Sequence, residues 1–400
     1  MKMRNVPVMI MLGIVLLGAA CSDRAIPRGS EHAVGFSPER LAQAPAIIRE
    51  AIARKELPGA VLLVARKGRI VFHEAFGESR WVPDHRPMSK DMIFDLASMT
   101  KPLATAPAVM LLVERGRLSL WDKVKTYVPN FVAFRDWLGV EGEDARIWHL
   151  LTHTAGLPPY TDADAAAKIL GRPCTPEALV NYIAALPKIS PPGEKFTYSC
   201  LGYITLAEIV RRVSGESLDH FAAENIYRPL GMNRTFFRPG PEVLDLCVPT
   251  LVVDGRPLQG VVHDPLARLQ GGISGNAGLF STAEDLAVFA QMLLDGGEYR
   301  GRRIFSRAAV TRMISVYPKA EFAGRGLGWD LHSAYASNGG DLFGPNSFGH
   351  SGYTGTSIWI DPDTQTIVIL LTNSIHPDDT GKILPLRTRV ANIVAGAIID

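Results

Sequence analysis

Cysteine is scarce in this chain, with four residues among 400. Apart from Cys21, the cysteines are Cys174, Cys200 and Cys247, which lie far apart and form no C-x-x-C pair. This spacing excludes a disulfide-rich scaffold and a zinc finger, because both need several closely spaced cysteines. Two alternatives stay open for these three residues: one disulfide bond between two of them, or three buried thiols.

A bias toward one sign of charge is also lacking. The formal net charge is +2, from 42 Lys and Arg against 40 Asp and Glu, and the chain has no long basic run. A nucleic-acid-binding surface needs a basic patch or a known motif, so that class of function is excluded. With 47% hydrophobic and 20% charged residues, the composition is that of a globular protein with a large core.

No apolar stretch is long enough to span a bilayer as a permanent helix. The N-terminal run from Val8 to Leu17 comes closest, and Lys2 and Arg4 precede it. A basic segment followed by a short apolar run is typical of a secretory signal peptide. We therefore predict a signal peptide over residues 1–20 and an exported protein.

The small residues before Cys21 resemble a bacterial lipobox, in which the cysteine is lipidated and becomes the mature N-terminus. Gly18 stands where the usual motif has an aliphatic residue. Two outcomes therefore stay open: lipidation of Cys21 with membrane attachment, or plain cleavage after Ala20. In both cases residues 21–36 are predicted to form a tether.

Segments rich in β-forming residues occur at both ends of the remaining chain. A hairpin is predicted over residues 60–75, and two strands joined by a turn are predicted over residues 356–371. Helical patterns dominate between them, from about residue 105 to 290. The predicted fold class is α/β: residues 37–400 form one domain whose antiparallel sheet is built from both chain ends and flanked by helices. A mostly helical lobe is inserted, and a cleft lies where lobe and body meet.

A serine and a lysine three residues apart, Ser98 and Lys101, stand at the start of an apolar run with helical spacing. A helix that begins near Ser98 would place both on one face, with a bend at Pro107 because proline has no N–H. A serine hydroxyl needs a neighbouring base to become a nucleophile, and a desolvated lysine that loses its proton can be that base. The pair is therefore a candidate for nucleophilic catalysis.

Several other segments bear on the chemistry. Tyr198 follows a loop fixed by prolines, and His350 precedes the C-terminal strands. His149 and His153 are spaced like metal ligands on a helix, but the chain has no H-E-x-x-H motif and no obvious third ligand, so we predict structural roles for both. The glycine-rich segment 270–278 lacks the lysine of a phosphate-binding loop and is also predicted to be structural.

Three motifs follow one another at wide spacing: Ser98-Met99-Thr100-Lys101, Tyr198-Ser199-Cys200 and His350-Ser351-Gly352. Their order resembles the serine β-lactamase and penicillin-binding protein superfamily. The resemblance is greatest to its class C side, which includes class C β-lactamases, D-alanyl-D-alanine carboxypeptidase relatives and family VIII carboxylesterases. It covers nearly the whole predicted domain, and two further strings agree with it, residues 149–157 and 278–286.

The resemblance implies a role for each matching residue. Ser98 would form the acyl-enzyme, Lys101 would assist its deprotonation, and Tyr198 would relay the proton to the leaving group. The backbone N–H groups of Ser98 and Tyr353 would form the oxyanion hole, with Tyr353 on the edge strand. No metal and no cofactor is implied.

Two residues depart from the family pattern in the part that is implied to bind the substrate. Cys200 replaces the usual asparagine, whose amide grips a substrate carbonyl. His350 replaces a lysine in the third motif, where Ser351 and Gly352 complete the substrate contacts. A histidine titrates near pH 6.5, so we expect His350 to lose most of a positive charge between pH 6 and pH 8. Both changes weaken the case for an efficient β-lactamase, and Cys200 favours an esterase.

The sequence therefore predicts an exported serine hydrolase that acts through an acyl-enzyme on an ester or amide, such as a cell-wall peptide, a β-lactam or a small ester. The expected location is the periplasm, with membrane attachment if Cys21 is lipidated. Two alternatives remain: a non-catalytic relative that binds peptidoglycan fragments, and a zinc hydrolase that uses His149 and His153. The sequence does not name the substrate or the oligomeric state.

Overall fold

The fold was obtained as a computed structural model that describes residues 25–380 and 383–400. The predicted signal peptide and Cys21 lie outside the described residues. None of the helices in the described ranges is long and apolar enough to cross a membrane. The three cysteines in these ranges, Cys174, Cys200 and Cys247, are free thiols, so the open alternative of a disulfide between them is not realised.

The strands of the described residues are β1 (Gly59–Arg66), β2 (Arg69–Arg80), β3 (Arg86–Pro87), β4 (Phe94–Asp95), β5 (Phe236–Phe237), β6 (Val252–Val253), β7 (Arg256–Pro257), β8 (Leu279–Ser281), β9 (Glu298–Tyr299), β10 (Arg302–Arg303), β11 (Phe348–Ser351), β12 (Ser357–Asp361) and β13 (Thr366–Thr372). The main sheet has six strands in the order β11-β12-β13-β1-β2-β3, and every neighbouring pair is antiparallel. The first and last parts of the chain meet where β13 pairs with β1. The predicted antiparallel sheet from both chain ends is confirmed.

The α-helices are α1 (Pro38–Leu41), α2 (Gln43–Ala53), α3 (Ala106–Glu114), α4 (Val124–Tyr127), α5 (Ile147–Leu151), α6 (Ala163–Leu170), α7 (Pro176–Ala185), α8 (Cys200–Ser214), α9 (Leu218–Ala222), α10 (Arg228–Leu230), α11 (Pro265–Leu269), α12 (Ala283–Leu294), α13 (Arg307–Met313) and α14 (Leu384–Gly396). Their caps follow the sequence signals. Thr175 and Thr282 accept a hydrogen bond from the third residue of α7 and α12, and Gly215 ends α8 in the left-handed conformation.

Strand β1 is buried along its whole length, and its side chains alternate between two cores. Val61 and Leu63 join the large core that contains α12 and most of the other helices, whereas Leu62 and Val64 join a smaller core with α2 and α14. Because successive side chains of a strand point to opposite faces, an uninterrupted apolar run fits a strand that has helices on both faces. The sheet is therefore the middle layer of the body.

The predicted tether over residues 21–36 is wrong for its described part, residues 25–36. Ile26 is 4% exposed and Phe36 is fully buried. Arg28 forms a parallel bridge with Ile70. Two large apolar side chains among these polar residues give the segment enough surface to bury against the body.

A small three-stranded sheet in the order β4-β8-β5 positions the catalytic segment. Phe94 pairs with Ser281, and Asp95 pairs with Phe280. This pairing brings the chain that leads to Ser98 beside the glycine-rich segment, although the two are almost 180 residues apart in the sequence. The segment 270–278 therefore lies next to the candidate nucleophile.

Candidate active site

Ser98 lies in a tight turn directly after β4. Its neighbour Ala97 has a φ of 45°, a left-handed conformation that is costly for a residue with a Cβ. Asp95 holds this turn, because its buried carboxylate accepts hydrogen bonds from the Ala97 N–H at 2.9 Å and the His263 N–H at 2.6 Å. Burial raises the pKa of Asp95 to about 6. The strained turn leaves the Ser98 side chain partly exposed at the cleft.

The segment after Ser98 is helical, but it is not one α-helix. Residues 97–99 form a 3₁₀ turn, Lys101–Thr105 form a π-helical turn, and α3 follows. Pro107 has no N–H for the Leu103 carbonyl, which instead accepts a hydrogen bond from the Tyr227 hydroxyl at 3.0 Å. The irregularity predicted at Pro107 therefore falls in the preceding turn, the one that carries Lys101.

The Lys101 amine is fully buried and makes three polar contacts. Its Nζ donates to Ser98 Oγ at 3.0 Å and to the Asn276 carbonyl at 3.0 Å, and it lies 3.5 Å from Cys200 Sγ. Gly275 lets this segment pack closely against α8, because a Cβ there would lie 1.9 Å from the Tyr203 carbonyl oxygen. The glycine-rich segment, predicted to be structural only, thus supplies an acceptor to the candidate base.

The charge of Lys101 depends on its neighbours. Burial is the largest influence and lowers its pKa, but negative charge on Cys200 and Tyr198 raises it, and the net pKa is above the ordinary lysine value. Burial also raises the pKa of the Cys200 thiol. Beside an uncharged thiol the raising influence of Cys200 is lost, which leaves burial, which favours the neutral amine, opposed by the influence of Tyr198.

Tyr198 is held on both sides by His153. The Thr197 N–H donates to the His153 carbonyl at 2.9 Å, and the Ser199 N–H donates to His153 Nδ1 at 3.0 Å. The rings of His153 and Tyr198 lie 4.4 Å apart. The ring centre of Tyr198 lies 5.0 Å from Lys101 Nζ. The structure therefore brings Ser98, Lys101 and Tyr198 together.

His149 and His153 both use Nδ1 to accept a backbone N–H, His149 from Arg146 at 2.8 Å and His153 from Ser199. Burial lowers the pKa of His149 to about 3 and that of His153 well below its usual range. Among the described residues, no group of three or more His, Cys, Asp or Glu side chains could hold a metal ion. The described residues therefore contain no ligand set for the zinc hydrolase alternative.

The third motif lies on β11, which is an edge strand of the main sheet, and on the turn after it. Gly352 comes so close to the nucleophile turn that a Cβ would lie 2.4 Å from the Leu96 carbonyl oxygen. Thr354 Oγ1 also donates to the Asp95 carbonyl at 2.6 Å. Tyr353 was predicted on the edge strand, but β11 ends at Ser351, so Tyr353 lies two residues beyond it.

The expected titrating charge on His350 is wrong. His350 is buried, and burial lowers its pKa well below the usual range, with a further lowering by the positive charges of Arg325 and Lys101. Its Nδ1 donates to the Ser351 carbonyl at 2.8 Å, because a carbonyl only accepts. His350 is therefore neutral between pH 6 and pH 8, with its Nε2 as an acceptor.

The cleft has a volume of about 340 Å³. Its lining includes Ser98, Tyr198, Arg325, Asp330, Tyr335, Asn338, His350, Ser351, Gly352, Tyr353, Trp359 and Arg387. Cys200 is not among the lining residues, so its predicted contact with substrate stays a prediction, and its thiol instead contacts Lys101.

Sequence reasoning missed Arg325 and Arg387, which belong to no motif. Arg387 is buried in α14, and its Nη2 donates to the carbonyls of Gly352 at 2.7 Å and Thr356 at 2.8 Å. Burial lowers its pKa to about 9. An isolated arginine in a sequence is usually on the surface, so only the fold reveals these two cations in the cleft.

Comparison with known proteins decides the family. The β-lactamase family model matches residues 44–392. The chain belongs to the β-lactamase family. An N-acetylmuramyl-L-alanine amidase of Bacillus subtilis (strain 168) is 32% identical over 373 residues, which cover 85% of this chain and 82% of that protein.

One further relative supports the assignment, and a solved structure supports the fold. A protein of Escherichia coli (strain K12), named provisionally as a D-alanyl-D-alanine carboxypeptidase, is 32% identical over 400 residues, 92% of this chain and 91% of that protein. The solved structure of EstCE1, a hydrolase with promiscuous acyltransferase activity, matches with a TM-score of 0.73 and 24% identity over 90% of this chain and 99% of that one. The predicted superfamily and fold are confirmed, and the protein is a β-lactamase-related serine hydrolase that acts through an acyl-enzyme.

Proposed function

We propose that this hydrolase cleaves an ester or amide bond in a small substrate derived from peptidoglycan, with Ser98 as the acylated residue. The observation that carries the proposal is the 3.0 Å hydrogen bond between Lys101 Nζ and Ser98 Oγ inside a cleft that Tyr198 also lines. The names of the amidase and carboxypeptidase relatives support a cell-wall substrate.

In the proposed mechanism, Ser98 Oγ attacks the substrate carbonyl and passes its proton to Lys101, which acts as the base in its neutral form. The backbone N–H groups of Ser98 and Tyr353 stabilise the oxyanion, because the Gly352 approach brings their two turns together. Tyr198 then relays the proton to the leaving group, and water releases the acyl group in a second step.

Covalent labelling tests this proposal. The wild type should gain the mass of one fluorophosphonate adduct, and Ser98→Ala should gain none while it keeps its thermal stability. Ser30→Ala, which removes an exposed serine, is the matched control and should label like the wild type. Undiminished labelling of Ser98→Ala contradicts the mechanism, and an unlabelled wild type supports the non-catalytic alternative.

A panel of substrates tests the chemical class. The same protein should be assayed with small esters, penicillins and D-alanyl-D-alanine peptides. The cell-wall proposal expects turnover of the peptides or of their ester analogues above that of the penicillins. Turnover of simple esters alone contradicts the cell-wall substrate but leaves the acyl-enzyme intact.

Export to the periplasm fits a cell-wall substrate. We also propose that lipidation of Cys21 attaches the protein to a membrane, because acyl chains add about 0.8 kcal/mol of membrane affinity per buried CH₂. The wild type should then partition with membranes and Cys21→Ala should not. Equal solubility of the two proteins contradicts lipidation.

A further inference from the structure

A short hairpin over residues 134–142 carries large apolar side chains at its tip. Trp137 is 90% exposed, Leu138 65% and Val140 60%, and Trp137 is the most exposed large hydrophobic residue in the described ranges. Contiguous exposed apolar patches of a few hundred Å² often mark an interaction site. These three side chains form an apolar finger that is a candidate interaction surface.

Asp136 fixes the shape of the hairpin. Its Oδ1 accepts hydrogen bonds from the Leu138 N–H at 2.9 Å and from the Val140 N–H at 2.8 Å. Arg135 and Glu141 form an antiparallel bridge below the tip and an ion pair at 3.0 Å. A loop that is already fixed loses little conformational entropy when it binds, so the apolar finger is preorganised for docking.

A groove beside the base of the hairpin also has apolar walls. Its volume is about 400 Å³, and Leu120, Trp121, Tyr317 and Pro318 are among its lining residues. The Trp121 carbonyl accepts a hydrogen bond from Arg146, just beyond the hairpin, at 2.7 Å. This Trp121 groove is large enough for a bulky aromatic side chain. The apolar finger of the same chain does not fill it, because its tip is exposed.

The finger and the groove carry opposite charges. Residues 134–143 contain one arginine against one aspartate and two glutamates, a net charge of −2. The charged lining residues of the Trp121 groove are Arg312 and Lys319, a net charge of +2. Complementary charges orient two surfaces and speed their encounter. The negative charge of the hairpin also disfavours insertion of the finger into an anionic membrane.

We propose that two copies of this chain form a symmetric dimer in which the apolar finger of each protomer inserts into the Trp121 groove of its partner. In this dimer Trp137 packs against the partner's Trp121 and the partner's Tyr317, and aromatic pairs of this kind stabilise an interface beyond the area they bury. Glu143 on the hairpin faces the partner's Arg312. The inference adds an interaction surface and does not depend on the proposed function.

The area of the contact favours reciprocal insertion. The three side chains of the finger together present roughly 400 Å² to solvent. One insertion buries this area and a similar area of the groove, about 800 Å² in all, which is no more than a typical crystal-packing contact. Two reciprocal insertions bury about 1,600 Å², the size of a standard stable interface. Because both protomers use the same two surfaces, the dimer is closed and does not extend into a filament.

Sedimentation velocity over a wide range of protein concentration tests the dimer. All proteins carry Cys21→Ala, so that an attached lipid cannot cause association. This parent protein should show a concentration-dependent dimer, and Trp137→Ser should raise its dissociation constant at least tenfold. Leu342→Ser removes another exposed apolar side chain and is the matched control, which should dimerise like the parent protein.

Charge reversal tests whether the finger meets the groove. Glu143→Lys on the hairpin and Arg312→Glu in the groove each bring like charges together, so each variant should dimerise more weakly than the parent protein. The double variant Glu143→Lys/Arg312→Glu restores opposite charges and should dimerise more tightly than either single variant. Both positions are exposed, so circular dichroism spectra should show that all of these proteins are folded.

Four results would overturn the inference. A parent protein that remains monomeric at every concentration excludes the dimer. A dimer that Trp137→Ser leaves intact forms through another surface. A double variant that is no tighter than the single variants shows that the finger and the groove do not meet. Binding of a monomeric parent protein to phosphatidylcholine vesicles, abolished by Trp137→Ser, would instead assign the finger to a membrane surface.

Discussion

The two walls of the cleft differ in how their polar groups are partnered. In the serine wall, which comprises Ser98, Lys101, Asp95 and Tyr198, the Lys101 amine has three polar contacts and both oxygens of Asp95 accept a backbone N–H. The arginine wall comprises Arg325, His350 and Arg387, and each has an unpartnered ring or guanidinium nitrogen among the described residues.

This difference indicates that the two walls have different roles. Groups that must hold one geometry during the reaction are fixed by the protein before the substrate binds. Groups that recognise a substrate keep free donors or acceptors, and the cost of burying them is offset when the substrate binds. The predictions below test the serine wall, from the largest expected effect to the smallest.

Lys101→Met should abolish most acylation. The variant keeps a long side chain but removes the base beside Ser98, so kcat/KM should fall by about 10³- to 10⁴-fold for charged and neutral esters alike. Stopped-flow or mass-detected acylation measures the effect. Lys319→Met, at an exposed site, is the control. Activity within tenfold of the wild type would show that another group deprotonates Ser98.

His153→Ala should lower kcat by about 10- to 100-fold, because the ring packs against Tyr198 and its Nδ1 accepts the N–H of the next residue, Ser199. His153→Asn retains a short polar acceptor and should lose less. His220→Ala removes an exposed histidine and serves as the control.

A chelator should leave the wild type active, and loss of activity that zinc restores would instead favour the metal alternative.

The raised pKa of Asp95 predicts that the stability of the fold depends on pH. Its folded pKa of about 6 lies above the ordinary value near 3.9, so the folded state binds a proton more tightly than the unfolded state. The stabilising contribution is complete below about pH 4 and is lost as the pH rises through 6, a change of roughly 2–3 kcal/mol. Asp95→Asn should flatten this part of the curve in urea unfolding.

Asp285 provides a matched control for Asp95. Burial also raises its pKa to about 6, but its carboxylate accepts from the Arg234 N–H and the Thr235 hydroxyl, away from Ser98. Asp285→Asn should flatten the stability curve in the same pH range and leave acylation unchanged, whereas Asp95→Asn should also slow acylation. Equal acylation rates of the two variants would show that Asp95 has no special role in positioning Ser98.

Cys200→Asn should have the smallest effect. The new amide can accept from Lys101 and donate to a substrate carbonyl, which a thiol does poorly. The ratio of peptide to ester acylation should rise about fivefold, the worth of one hydrogen bond of roughly 1 kcal/mol. Cys200→Ser is the control for the loss of the thiol alone. An unchanged ratio would show that this position does not face the substrate.

Much of the fold follows from local patterns in the sequence. The apolar runs of β1 and β13, the Thr-capped helices and the glycine at the end of α8 each specify an element within a few residues. Ser98, Lys101 and Tyr198 were predicted because their motifs keep a fixed order. The tether was mispredicted because its short polar sequence hides two apolar anchors, Ile26 and Phe36.

The electrostatics of the site could not be predicted in the same way. The charge of His350 depends on burial and on Arg325, which is close only in the folded chain. Asn276 meets Lys101 through its backbone carbonyl, which no side-chain motif records. Long-range contacts of this kind set pKa values, so a motif identifies the groups of a site but not their protonation states.

The location of the acyl group is the most direct test of the central claim, that Ser98 is the nucleophile. Cys200 is the competing candidate, because its Sγ also lies 3.5 Å from Lys101 Nζ. The wild type is mixed with a slowly released ester or penicillin, quenched in acid, digested and mapped by mass spectrometry. The account predicts the acyl mass on the peptide that contains Ser98 and its loss in Ser98→Ala. An acyl group on the peptide that contains Cys200, or one that persists in Ser98→Ala, would contradict it.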